Sequence, residues 1–239
     1  MTHPLEPGRV KAILFDLDGT LADTDDQLVA DLAKRLKRLA FLIPGHDPDK
    51  LARRLMMNAE NPFNGLYAWA DRLYLDEAWA FARSLVPVGR HQPRTSRAVP
   101  VPGTLDALNT LTSRYALGVV TTRSTGSAAA ILNAIELNDR FSVVASARST
   151  LRIKPHPAPV RWAARQLGLP TQSCLMVGDT TVDIRAGLAA GTQVVGVLCG
   201  FGDRNELARA GAQAVIDSPA ALPDLLSNGR EHSPPTSTL

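Results

Sequence analysis

Cysteine is scarce in this chain: two residues in 239, Cys174 and Cys199, each bordering an apolar run and neither in a Cys-x-x-Cys spacing. That argues against a disulfide framework and a structural zinc site, and it suits buried thiols in a reducing compartment. No apolar run approaches the ~18 residues of a membrane span, and residues 1–9 lack the apolar stretch of a signal peptide. The expectation is a cytoplasmic protein without a membrane segment. Charge of one sign is not in large excess, with a formal net charge of +3. So mild a balance points to no nucleic acid and suits a small anionic ligand equally well. There is no Gly-x-Gly-x-x-Gly, no phosphate-loop lysine motif and no internal repeat. What remains is an ordinary hydrophobic content of 45% in a chain long enough for one large domain or a core plus a smaller module.

The most informative stretch is Ala12-Ile13-Leu14-Phe15-Asp16-Leu17-Asp18-Gly19-Thr20. A continuous apolar run ending in acids reads as a buried parallel strand that delivers carboxylates to its carboxyl end. Alternation along a strand sends Asp16 and Asp18 to one side and Leu17 to the other. Two carboxylates so close repel unless a proton or a metal ion intervenes.

From residue 24 to residue 85 the pattern is helical throughout, with Leu28, Leu32, Leu36 and Leu39 on one stripe. Residues 86–102 carry four prolines together with Arg90, His91, Arg94 and Arg97, and read as a linker back to the main body. From Gly103 helices alternate with strands. Helices are expected over 105–111, 127–135, 160–167 and 182–190, and strands over 116–121, 141–145, 174–177 and 193–198. A short last unit covers 206–216. This alternation predicts an α/β fold: a Rossmann-like parallel sheet with an inserted all-helical cap. The expected division is a core over 1–23 and 99–226, cap and linker over 24–98, and a disordered tail over 227–239.

In an open parallel sheet ligands bind beyond the carboxyl ends of the strands, where several apolar runs here end in reactive side chains. The first delivers Asp16, the second Thr121 and Thr122, and a later one Asp179, with Asp183 one helical turn on. Lys154, flanked by Pro155 and Pro157, follows the third strand. Such a collection of carboxylates suits Mg²⁺, while Thr121 and Lys154 suit phosphate oxygens. The chemistry that needs all of them is phosphoryl transfer to a carboxylate nucleophile.

These motifs are Asp16-Leu17-Asp18-Gly19-Thr20, Thr121, Lys154-Pro155-His156-Pro157 and Gly178-Asp179-Thr180-Thr181-Val182-Asp183. In that order they resemble the haloacid dehalogenase-like (HAD) hydrolase superfamily, in its phosphoglycolate phosphatase-like branch. The stretch 196–202 and Ala210-Gly211-Ala212 are similar to that branch's closing segments. The resemblance implies a phosphatase acting on a small phosphorylated substrate, with phosphoglycolate as the first expectation. Asp16 would be the nucleophile and Asp18 the acid and base. Thr121, Thr122 and Lys154 would bind the phosphoryl group. Asp16, Asp18 through its backbone carbonyl, Asp179 and Asp183 would make the Mg²⁺ site. A phosphosugar mutase on the same scaffold, or a non-enzymatic phosphate-binding module, is the alternative. The chain departs from the branch at Thr121-Thr122-Arg123, where relatives commonly have Thr-Asn-Lys, and at Arg148 and Arg152, where they often carry acids.

Because these motifs recognise only the phosphoryl group, the leaving group is expected to be read by the insertion, whose Arg53 and Arg54, with Arg90 and Arg94 of the linker, suit a second anion. Exchanging residues 24–98 for the cap of a relative of known preference should carry that preference with it, measured as relative kcat/KM over a phosphomonoester panel. A preference that stays with the sheet domain would place selectivity in loops such as 199–203.

Overall fold

A strand that is apolar at every position needs cover on both faces. β1 (Ala12–Phe15) is such a strand, and in the computed structural model of the protein it lies within a six-stranded sheet, flanked on both sides. The structure describes residues 4–23 and 98–228. Both stretches belong to the first of two units into which the chain divides, Met1–Asp23 with Arg97–Leu239, and Thr24–Ser96. The expected helical insertion and most of the linker lie outside the described residues.

After β1 come β2 (Ala22–Asp23) and, beyond the insertion, β3 (Val99–Pro100). Alternation then sets in with α1 (Thr104–Thr112), β4 (Ala116–Val120), α2 (Thr125–Ala134), β5 (Val143–Ala145) and α3 (Ala158–Gln166). It continues through β6 (Cys174–Gly178), α4 (Thr181–Ala190), β7 (Gln193–Val197), α5 (Arg204–Ala210), β8 (Ala214–Ile216) and α6 (Leu222–Asn228). The main sheet runs β5-β4-β1-β6-β7-β8, with every pair parallel. The α/β fold is thus as expected.

The sheet's two faces are sorted by residue parity. Ile13 and Phe15 enter one apolar cluster with Leu117, Val119, Leu175 and Val177, covered by residues of α1, α2 and α6. Ala12 and Leu14 enter the other, with Met176 and Val194, covered by residues of α3, α4 and α5. Leu17 falls in the first cluster with Phe15. Asp16, of Leu14's parity, meets residues of the α3–α4 side.

Chain order moves outward from β1 in both directions, to β4 and β5 on one side and to β6, β7 and β8 on the other. The crevice where this direction reverses is the ligand position of open α/β sheets. Phe15 pairs with both Val119 and Val177, so the ends of all three strands are level. The ladder runs one residue further: the Asp16 N–H donates to Val177 O at 2.8 Å and the Thr121 N–H to Ala145 O at 2.8 Å.

Two details differ from the sequence-based expectation. Val99 and Pro100, read as linker, pair antiparallel with Asp23 and Ala22, closing the base from which the insertion leaves. Ser227 and Asn228, read as the start of a disordered tail, finish α6, whose Leu222 and Leu226 lie in the first cluster with Leu108 and Leu111 of α1. A seven-residue helix with its apolar residues four apart is too short to show as a periodic pattern. Residues 229–239 lie outside the described residues.

Inside α4, alanine for glycine ordinarily gains about 1 kcal/mol of helix propensity. A methyl at Gly187 would instead stand 2.5 Å from Val194 Cγ1 and 2.9 Å from Met176 Cβ, on the sheet itself. Overpacking of that kind costs about 1–3 kcal/mol and should prevail. Gly187→Ala is therefore expected to lower the urea midpoint, whereas a rise would mean the α4–sheet contact yields freely.

Candidate active site

Asp16 is placed by the ladder bond that prolongs β1, and Leu17, buried in the first cluster, anchors the residue beside it. Gly19 then turns the chain at φ +73°, a left-handed conformation that costs glycine little. Its second role is space: a Cβ there would collide with the carboxylate of Asp179. Gly200, in the loop after β7, meets the same carboxylate, also without room for a Cβ. The Thr20 hydroxyl donates to Asp179 Oδ1 at 3.3 Å, the Phe201 N–H donates to Oδ2 at 2.8 Å, and the Gly202 N–H donates to the Asp179 carbonyl at 3.0 Å.

Asp183 lies in the first turn of α4. Its Oδ2 accepts from the N–H and the hydroxyl of Thr180 at 3.1 and 2.7 Å, a helix-start arrangement that leaves Oδ1 for another partner. That partner is Lys154, whose Nζ donates to Asp183 Oδ1 at 2.7 Å and to Asp16 Oδ1 at 2.5 Å. Lys154 is only 3% exposed although it comes from a loop, and its peptide bond to Pro155 is cis. Thr121 is buried at the end of β4, its Oγ accepting from the Arg123 N–H at 3.1 Å. Thr122, beside it, is exposed. Asp18 is turned to another partner, accepting from Arg123 Nε at 2.6 Å.

Asp16, Asp179 and Asp183 thus stand together, all buried, each offering an oxygen within 4.8 Å of the others. Burial is the main force raising the Asp16 pKa well above the usual carboxylate range; Lys154 opposes it, while Asp183, Asp179 and Asp18 reinforce it. Asp179 is pushed up to about 7, mainly by burial and then by Asp183, against the Phe201 N–H and Lys154. Burial works against the charge of Lys154, but Asp16 and Asp183 outweigh it and hold the ammonium above its ordinary value. Among the described residues, one ammonium beside three buried carboxylates leaves negative charge to be balanced. An all-oxygen donor set of this kind fits a hard divalent cation. Both cysteines are free thiols; burial raises Cys174 to about 11 and Cys199 to about 12, the latter helped by the charge of Asp179.

The expected residues Asp16, Lys154, Asp179 and Asp183 meet in one cluster. Asp18, also expected as a metal ligand, has its carboxylate on Arg123; the expectation concerned its backbone carbonyl. Thr20, Arg123 and the Phe201 N–H join the site without having been expected. A conspicuous guanidinium in place of lysine after Thr121 was the available signal for Arg123. A backbone N–H carries no signal in sequence at all.

The sequence model of the haloacid dehalogenase-like hydrolase family matches residues 13–197. The phosphoglycolate phosphatase of Neisseria meningitidis is 31% identical over 235 residues, covering 92% of this chain and 93% of its own. That of Rhodospirillum rubrum is 34% identical, covering 90% of each. Among solved structures, a HAD family hydrolase from Deinococcus radiodurans superimposes with a TM-score of 0.66 at 24% identity, covering 95% of this chain and 99% of its own.

The Asp179 carboxyl binds its proton more tightly folded, near 7, than at its ordinary 3.8. Stability from that group is present below the ordinary value and lost as pH rises through about 7. In a chelator, Asp179→Asn should match the wild type near pH 4 and exceed it by about 2–4 kcal/mol at pH 8. Urea unfolding at the two pH values measures the difference, and a constant offset would contradict the charge crowding.

Proposed function

The chain belongs to the haloacid dehalogenase-like hydrolase family, and from that premise we propose that it is a Mg²⁺-dependent phosphatase of a small phosphomonoester, working through a phosphorylated Asp16. The observation that carries this reading is the buried Lys154 ammonium held between Asp16 and Asp183, with Asp179 beside them. Relatives at 31% and 34% identity bear the name phosphoglycolate phosphatase, which makes phosphoglycolate the first substrate to try. The two free thiols fit a reducing compartment, the cytoplasm.

In the first half-reaction a carboxylate oxygen of Asp16 bonds to phosphorus as the bond from phosphorus to the leaving oxygen breaks. Asp18 gives its proton to that oxygen. In the second, a water oxygen bonds to phosphorus and its proton passes to Asp18. The bond to Asp16 breaks with its electron pair returning to the carboxylate, and phosphate leaves. Asp18 ends each cycle protonated as it began. Lys154 and the Thr121 hydroxyl hold the phosphoryl oxygens throughout, with Thr122 at the exposed side. Asp16, Asp179 and the backbone carbonyl of Asp18, with Asp183 in support, would hold the divalent cation, whose positive charge would let a phosphoryl anion approach these carboxylates. Substrate preference is set by residues 24–98 in this reading.

A panel of phosphoglycolate, sugar phosphates, nucleotides and pyrophosphate, with and without Mg²⁺, tests the assignment by phosphate release. A requirement for a bisphosphate activator would instead mark a mutase. Asp16→Asn should reduce turnover to background without loss of thermal stability, because an amide of the same size cannot attack phosphorus. Turnover retained by a variant verified by mass removes Asp16 as nucleophile.

A further inference from the structure

Asp18 stands on the loop after β1, where its side chain is not part of the buried carboxylate cluster. What holds it is Arg123, 105 positions away, through Nε at 2.6 Å. Arg123 is itself secured at both ends. Its N–H donates to Thr121 Oγ at 3.1 Å and its carbonyl accepts from the Ala147 N–H at 2.8 Å, which ties its backbone to the ends of β4 and β5. Its Nη1 donates to Ser127 Oγ, in the first turn of α2, at 3.3 Å. A guanidinium can serve two partners with separate nitrogens of one rigid plane; the lysine usual at this position in the branch offers a single nitrogen.

A guanidinium only donates, and by general chemistry it binds a carboxyl group more strongly once that group has given up its proton. Of the two half-reactions, the one that uses Asp18 in that form is the second. We propose that Arg123 is a positioning residue for hydrolysis of the phosphorylated enzyme, holding the Asp18 carboxylate where it takes the proton of the attacking water. The inference rests on the phosphatase reading above. In the step concerned, the water oxygen bonds to phosphorus, the bond from phosphorus to Asp16 breaks with its electrons returning to that carboxylate, and the proton goes to Asp18. Arg123 acts through Asp18 and takes no part in the bonds made and broken. It restricts the side-chain rotation of Asp18, and misplacement of such a group costs on the order of 10–100-fold.

The test compares wild type, Arg123→Gln, Arg123→Lys and Ser127→Ala on the best ester of the panel in Mg²⁺. It measures kcat, KM and, after acid quenching at saturation, the fraction of protein carrying a phosphoryl group by mass. A slower second half-reaction lowers kcat and KM together and leaves kcat/KM nearly unchanged. Arg123→Gln is expected to lose roughly 10–100-fold in kcat, with a matching fall in KM and a phosphorylated fraction well above wild type. Arg123→Lys should recover part of the loss. Ser127→Ala, which removes only the outer support of the guanidinium, should shift the same quantities by a smaller factor. Equal falls in kcat and kcat/KM without added phosphorylated protein, or unchanged kcat in Arg123→Gln, would overturn the role of Arg123. A wild type that turns over no ester of the panel would overturn the phosphatase reading itself, and this inference with it.

Discussion

Three carboxylates share one ammonium at the buried end of a sheet, and much of the described architecture is arranged around that imbalance. Ionised carboxylates removed from water cost several kcal/mol each unless paired. Lys154 is placed against two of them, Asp16 and Asp183. The third, Asp179, receives a hydroxyl and a backbone N–H instead of a cation. Neutral donors soften its burial without cancelling its charge, so it is left with a proton affinity near neutrality. The same crowding makes the cluster a receptive place for a hard cation and an attractive one for a phosphoryl group that arrives with it.

Closeness of that order demands space, which glycine provides. Gly19 and Gly200 both approach the Asp179 carboxylate, and a side chain at either would collide with Oδ2. Asp183 shows the complementary device. One of its oxygens starts a helix by accepting from Thr180, while the other holds Lys154. A structural role therefore fixes the orientation of a site residue, and the site is as rigid as the start of α4.

Asp18 belongs to a different regime. It is 20% exposed along its side chain and is held by an arginine that is itself 31% exposed, so solvent screens the pair and its net stabilisation is modest. Asp18, the proposed acid and base, is thus on a softer mounting than the buried carboxylates. This separation arises because Asp16 is still held in the ladder of β1, while Asp18, beyond Leu17, lies where the chain has already left it.

Much of this was legible in the sequence because a parallel strand buried on both faces must be apolar throughout, and its end is marked by the first polar residue. Asp16, Thr121 and Asp179 each stand at such an end, and Lys154 and Asp183 follow close behind others. The alternation of strands and helices likewise sufficed for the α/β fold. Three things were decided only by tertiary structure. The order β5-β4-β1-β6-β7-β8 sets strands distant in sequence side by side, and so brings Lys154 to Asp16 across 138 positions. The contact of Arg123 with Asp18 depends on a side-chain direction that no local pattern encodes. The Phe201 N–H reaches Asp179 as a backbone group, identical in every residue but proline, so its role arises from where the chain passes and not from which residue is there.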